Sequence, residues 1–310
     1  MAQYIPYFGT QQGPPPYSFP GVSIYAFVLP ADIGALEMFC NTFLSVDPRR
    51  VFTPLAPFVL LGISQYPKMI SENDASRGLG YTSQNEYYFM FPAVRHDAIA
   101  GNFLVPREIT WVCPYIGVDN STSAAAGREM LGFPKMVGDI GLDTARDGVF
   151  SATVAMPGFQ VFSPDSAQEL LPLISIRTGA TLRQSQAGQH AFPWDLLALG
   201  ADLDEQVIGL LGGASPDSYS VTNLKQFCDP AQPDLAVYQA LVRAVWTQSN
   251  TGPTTFYDGA LIEVFDNVTM RIVEHLGLTQ GLGPKLNPLL AVSQTTDMVF
   301  GNVTNLYVSR

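Results

Sequence analysis

The feature that most constrains the fold of this chain is a series of extended runs rich in β-branched and aromatic residues. They occupy residues 23–29, 57–64, 87–94, 109–118, 149–156, 219–227, 260–272 and 298–308. Such side chains favour strands, and their regular recurrence indicates a curved antiparallel sheet or a barrel. The sequence therefore predicts an α+β fold, mainly antiparallel β, with a few flanking helices.

Two segments show apolar residues at helical spacing. Residues 32–43 carry such a stripe, with Asp32 available as an N-terminal cap. Residues 234–246 carry another, formed by Leu235, Tyr238, Leu241, Val242 and Val245. Both stripes predict helices that pack on the core, and residues 194–211 could hold one or two more.

The chain is organised as an irregular N-terminal arm, residues 1–21, followed by a single domain over residues 22–310. The arm is predicted from Pro14, Pro15, Pro16 and several glycines. Residues 157–217 are interpreted as an elaboration of the domain. This elaboration could shape the mouth of a pocket or form an oligomer contact.

Charge narrows the range of partners. The net charge of −11 argues against binding to nucleic acid or to an anionic membrane surface, because both require clustered cations. The N-terminus lacks a cationic region followed by an apolar core, and no apolar run reaches the roughly 18 residues needed to span a bilayer. We expect a cytoplasmic homo-oligomer.

Metals and cofactors are not indicated. Cys40, Cys113 and Cys228 lie far apart, and the three histidines lack the spacing that places two ligands on one helix face. No phosphate-binding glycine loop or nucleophile elbow is present either. We therefore expect no cofactor and no metal.

Lys135 is the strongest candidate for chemistry. Lysine occurs only at Lys68, Lys135, Lys225 and Lys285, and Lys135 lies within the apolar run Leu-Gly-Phe-Pro-Lys-Met-Val. An amine enclosed by such neighbours loses hydration, which favours its neutral form, and neutral lysine attacks carbonyl groups. The alternative is that the stem lies on apolar surface and the ammonium stays in water.

Residues 127–136, Gly-Arg-Glu-Met-Leu-Gly-Phe-Pro-Lys-Met, resemble the active-site motif of the acetoacetate decarboxylase family. The resemblance continues upstream through residues 111–120, and residues 86–92 are similar to the family segment in which a glutamate stands six positions before a proline. Residues 221–227 look like the strand that carries a further family lysine. The chain from Gly259 onward follows the family's hairpin pattern.

The resemblance implies an acetoacetate-decarboxylase-like barrel in which Lys135 forms a Schiff base and Glu86 moves protons. It implies a lyase acting on a small oxo acid or ketone. The residues expected around the substrate are Leu131, Phe133, Met136, Tyr115 and Arg128.

Two departures from the family pattern bear on the reaction. Met136 stands where the family's decarboxylases usually have a second lysine, and residues 19–25 offer no arginine to receive a substrate carboxylate. These departures favour aldol condensation, with dehydration or cyclisation, or a larger substrate, although decarboxylation stays open. The competing class is a non-catalytic barrel that binds an apolar small molecule.

Lys68 tests the specificity of the motif, because Tyr66-Pro67-Lys68-Met69 repeats the aromatic-Pro-Lys-Met sequence around Lys135. The polar residues that follow, 70–78, predict a surface loop. We therefore expect Lys68 to be hydrated and protonated, and a place on a lid over the site is the alternative that stays open.

Overall fold

The computed structural model describes residues 13–99, 103–144, 148–188, 192–193, 217–278 and 285–309. In these ranges the strands are β1 Tyr17–Pro30, β2 Arg50–Pro54, β3 Phe58–Ser71, β4 Thr82–Ile99, β5 Phe103–Val118, β6 Lys135–Val137, β7 Asp139–Thr144, β8 Phe150–Gly158, β9 Glu169–Thr178, β10 Thr181–Gln184, β11 Ser218–Cys228, β12 Ala236–Ser249, β13 Thr255–Tyr257, β14 Ala260–Val264, β15 Lys285–Leu286 and β16 Leu290–Val308. The helices are α1 Ile33–Phe43, α2 Ser121–Leu131 and α3 Ile272–Leu276.

Seven strands close into a barrel in the order β1-β3-β4-β5-β11-β12-β16, and β16 pairs again with β1. Six of the seven pairings are antiparallel, whereas β5 and β11 run parallel. Closure leaves no unpaired edge among these strands, which removes the usual route to aggregation of open sheets. The predicted class, a mainly antiparallel β-barrel with flanking helices, is confirmed.

A second sheet, in the order β15-β14-β9-β8-β7, gives the chain two apolar cores. One core fills the barrel and includes Trp111 and Phe300. The other lies between the outer faces of β1, β3 and β4, the second sheet, α1 and α3, and it includes Phe89 and Phe150. Because the middle of β1 contacts both cores, four successive residues, 26–29, are buried there.

Helix α1 begins and ends as its sequence predicts. The Asp32 carboxylate accepts a hydrogen bond from the backbone N–H of Ala35 at 2.8 Å, which satisfies one free donor of the first turn. Leu36 and Cys40 are buried, so the predicted apolar face of the helix does pack on the core.

The predicted helix over residues 234–246 is wrong, because the segment from Ala236 onward lies in strand β12. β12 pairs along most of its length with β11 on one side and β16 on the other. Residues 240–242 are all buried, so both faces of the strand are covered there and the sequence does not alternate between apolar and polar residues. Apolar residues on both faces imitate helical spacing, and periodicity alone cannot separate the two cases.

Two smaller boundaries also differ from the predictions. β1 begins at Tyr17, inside the predicted arm, because its first residues pair with β16 and β3. The extended run over 260–272 ends at Val264, and Ile272 begins α3. Within the predicted elaboration, β9 joins the second sheet and β10 pairs with β13, while the predicted helices at 194–211 lie outside the described residues.

None of the helices in the described part of the chain has the length and apolar character needed to cross a bilayer. Within the same residues, no cluster of three or more His, Cys, Asp and Glu side chains is arranged to hold a metal ion.

Candidate active site

Lys135 opens strand β6, which lies parallel to β5 with Lys135 opposite Ile116. Its side chain is buried in the barrel, with only 9% of it exposed. The Nζ donates hydrogen bonds to Glu86 Oε2 at 2.5 Å and to Ser123 Oγ at 3.2 Å. The ammonium therefore does not reach bulk water, and its partners are a carboxylate and a hydroxyl.

The Gly-Arg pair that precedes Lys135 holds the lysine in place. A Cβ added to Gly127 would lie 2.6 Å from Lys135 Cδ, so only glycine lets the lysine stem pass this closely against α2. Arg128 donates from Nη1 to the Lys135 carbonyl at 3.2 Å. Gly132 ends α2 in the left-handed conformation, with φ of 71°. The motif therefore has a direct structural explanation around Lys135.

Glu86 lies on β4, and its carboxylate is surrounded by donors from its own strand and from β3. Oε1 accepts from the Tyr66 hydroxyl at 3.4 Å, and Oε2 accepts from Gln84 Nε2 at 3.3 Å. The β3–β4 register places Tyr66 opposite Gln84 and Ser64 opposite Glu86, so these side chains share the interior face. The carboxylate is only 5% exposed, and Lys135 is its cationic partner.

An inner cavity of about 40 Å³ lies in front of Lys135 inside the barrel. Its lining includes the aromatic rings of Phe133, Tyr66, Tyr88 and Tyr219. Among the residues that line it, only Glu86 and Lys135 carry charge. This volume has room for about three waters, which corresponds to a small organic carbonyl compound.

The hydroxyl and thiol groups near the pair are held in their neutral forms. Burial, reinforced by the charge of Glu86, raises the pKa of Tyr66 and of Cys113 well above their usual values. Burial has the same effect on the pKa of Tyr219. These groups therefore stay protonated beside Lys135 and Glu86 and are not competing bases.

The residues expected around the substrate separate into three places. Leu131 and Phe133 line the inner cavity with Lys135. Met136 does not, because successive residues of β6 face opposite sides and its side chain packs on the other core. Tyr115 and Arg128 line a second cavity on the outside of the barrel, to which Phe133 also contributes.

This outer cavity has a volume of about 770 Å³ and lies between α1, β5, β11 and the turn after α2. Cys113 and Phe133 line both cavities and so form a shared wall. At its rim the Tyr115 hydroxyl contacts His275 Nδ1 at 2.5 Å. Burial raises the pKa of Tyr115 to about 12, so the phenol stays protonated.

The lysine that repeats the local motif lies elsewhere. Lys68 is still within β3, which continues to Ser71, and so precedes the polar segment predicted as a loop. Its side chain is exposed, and its Nζ lies 5.1 Å from the centre of the Tyr81 ring. It does not line the inner cavity.

Three contacts of the pair were not predicted from the sequence: Ser123, Tyr66 and Gln84. Ser123 lies three residues after Asn120, whose side chain caps α2 by accepting from the Ser123 N–H at 3.0 Å. Gln84 precedes Glu86 by two residues, so strand alternation alone places both on one face. Tyr66 becomes a neighbour only through the β3–β4 register, which the sequence does not state.

The family model described as acetoacetate decarboxylase matches residues 1–172 of the chain. No curated protein is significantly similar to the chain in sequence. Among solved structures, acetoacetate decarboxylase from Legionella pneumophila subsp. pneumophila str. Philadelphia 1 is 13% identical, with a TM-score of 0.65, over 99% of this chain and 93% of that one.

The enduracididine biosynthesis enzyme MppR is also similar in fold. Its complex with pyruvate is 13% identical, with a TM-score of 0.59, over 97% of this chain and 93% of that chain. Its complex with the condensation product of pyruvate and imidazole 4-carboxaldehyde is 14% identical, with a TM-score of 0.57, over 97% and 91% of the two chains.

Proposed function

Because the chain belongs to the acetoacetate decarboxylase family, we propose that it is a Schiff-base-forming lyase that acts on an oxo acid or ketone through Lys135. The observation that supports this most is the buried contact of 2.5 Å between Lys135 Nζ and Glu86 Oε2, in front of a cavity. A lysine nucleophile and a carboxylate in contact are the two groups that imine formation requires.

The pair provides the proton transfers of the reaction. Glu86 Oε2 accepts a proton from the Lys135 ammonium, and the neutral amine attacks the substrate carbonyl to form a C–N bond. The carbinolamine oxygen receives one proton from the attacking nitrogen and a second from the protonated carboxyl, and it leaves as water. The resulting iminium accepts the electron pair of an adjacent C–C or C–H bond as that bond breaks.

The lining of the inner cavity bears on the substrate. Its volume of about 40 Å³ favours a short-chain carbonyl compound over the larger substrate considered from the sequence. No lining residue other than Lys135 is cationic, so a substrate carboxylate would depend on neutral donors such as the Tyr219 hydroxyl and the second Nε2 hydrogen of Gln84. This supports ketones and aldol-type condensation at least as well as decarboxylation. Pyruvate, seen bound to MppR, is the natural first compound to test.

Borohydride trapping tests this proposal. We expect incubation with pyruvate and borohydride to add one reduced adduct, which peptide mapping assigns to Lys135. Lys135→Arg should remove the adduct and the turnover while the protein stays folded, because arginine keeps its charge in proteins.

Lys68→Arg is the matched control, because Lys68 has the same aromatic-Pro-Lys-Met sequence but is exposed. We expect its adduct yield to equal that of the wild type. An adduct at Lys68, or none with a panel of oxo acids and ketones, would favour the alternative, a non-catalytic barrel that binds an apolar small molecule.

A further inference from the structure

The outer cavity offers a binding site that the chemistry at Lys135 does not use. Its wall on the α1 side is apolar and includes Met38, Phe39 and Phe43, while Lys225 and Arg128 bring two cations to the opposite side. Its volume is about 770 Å³, whereas the volume of the inner cavity is about 40 Å³. An apolar wall facing cations has the character of a site for an amphipathic anion.

One buried polar group of this cavity is not satisfied by the described part of the protein. Asn223 lines it and is only 4% exposed, yet its buried Nδ2 has no hydrogen-bond partner within the described residues. A buried donor without a partner costs roughly 1–3 kcal/mol. A ligand oxygen that accepts from Nδ2 would remove this cost.

Lys225, a second residue of this cavity, has no ion-pair partner within the described residues. It is half-buried, and its Nζ lies 5.7 Å and 5.4 Å from the rings of Phe227 and Tyr238. Burial lowers the pKa of Lys225, and the charge of Glu129 raises it by a smaller amount. A ligand anion would supply the missing counter-charge.

The acidic group of the cavity does not cancel these cations. Glu274 also lines it, but its carboxylate is paired with Arg271. We propose that the outer cavity binds an amphipathic carboxylate, with its carboxylate on Lys225, Arg128 and Asn223 and its apolar body against α1. This site is separate from the proposed imine site, with which it shares only the wall formed by Cys113 and Phe133.

Calorimetric titration with octanoate and its neutral counterpart octanamide tests the site. We expect octanoate to bind the wild-type protein more tightly than octanamide. Lys225→Gln should weaken octanoate binding about tenfold, the value of one charge-assisted hydrogen bond, and leave octanamide binding unchanged. Lys68→Gln is the matched control, because Lys68 is exposed outside the cavity, and it should change neither affinity.

Thr42→Trp locates the ligand. Thr42 is an exposed residue of α1 on the cavity wall, so an indole there should weaken the binding of both ligands without disturbing the core. Borohydride trapping of pyruvate in the Lys225 and Thr42 variants should stay at the wild-type level, which separates this site from the proposed function. The proposal is overturned if octanoate and octanamide bind equally, if Lys225→Gln has no effect, or if Lys225→Gln changes only the oligomeric mass.

Discussion

Lys135 has two kinds of neighbour. Leu131 and Phe133 are apolar and line the inner cavity with it, whereas Glu86 Oε2 contacts its Nζ at 2.5 Å. The apolar neighbours are local in sequence, but Glu86 lies 49 residues earlier in the chain and reaches Lys135 through the barrel. The lysine therefore has a proton acceptor in direct contact with its amine.

Glu86→Gln tests the role of this carboxylate. Glutamine keeps the size of the side chain but cannot accept a proton and return it. We expect turnover to fall about 100-fold because the group that transfers protons is lost. Borohydride should still trap an adduct at Lys135 at the end point, because the amine is retained. Trapping and turnover should be measured on the same preparations.

Gln84→Glu is a useful comparison for that experiment, because it changes a neighbour of Glu86 without removing Glu86. It should keep more turnover than Glu86→Gln, because the group that transfers protons is still present. If Glu86→Gln leaves turnover unchanged, Glu86 is a structural carboxylate only.

At the scale of elements, the sequence predicts features with a local signal better than it predicts strands whose neighbours are distant in the chain. Helix α1 and its Asp32 cap were predicted because capping and one apolar face are local signals. β12 was predicted as a helix because its neighbours β11 and β16, which bury both of its faces, are distant in sequence. Likewise, Met136 was expected beside the substrate, and its place on the other core became clear only once residues 135–137 were seen to form strand β6.

The contact of α2 with β6 explains why a glycine precedes Arg128. In Gly127→Ala the new methyl group would lie 2.6 Å from Lys135 Cδ and 3.0 Å from its Cε, so the lysine stem must move. Alanine favours a helix over glycine by about 1 kcal/mol, so α2 itself should not be weakened. We expect imine trapping to slow by about 10- to 100-fold through misplacement of the amine.

Gly78→Ala is the control for this substitution, because a Cβ at Gly78 meets nothing within 4 Å. Its trapping rate should match that of the wild type. A Gly127→Ala protein that traps pyruvate at the wild-type rate would show that the lysine stem has other room in the barrel.

At the scale of the whole molecule, barrel closure brings the first and the last described strands to the site. β1 and β16 are the first and last strands of the described chain, and they pair from Tyr17 opposite Phe300 to Val28 opposite Leu290. Tyr17 and Phe300 both line the inner cavity. The sequence predicted both strands but not their pairing, because a contact between chain ends leaves no local pattern.

Phe300 tests this arrangement, since it is fully buried where β12, β16 and β1 meet. Its ring lies 4.7 Å from the ring of Trp246 between centroids, and 6.3 Å from that of Tyr17. Phe300→Ala removes these contacts and leaves a void, so we expect a loss of about 3–5 kcal/mol in the free energy of unfolding. Val299, the preceding residue, faces the other side of the strand and is 43% exposed.

Val299→Ala should therefore cost less than about 1 kcal/mol, because little apolar surface leaves water at that position. Urea denaturation of both variants and the wild type, with comparison of midpoints and slopes, measures the difference. Phe300→Ala should also admit bulkier ketones to Lys135, since the void opens on the inner cavity. Equal losses for the two variants would contradict the inward orientation of Phe300 and, with it, the closure of the barrel by β1 and β16 beside the lysine.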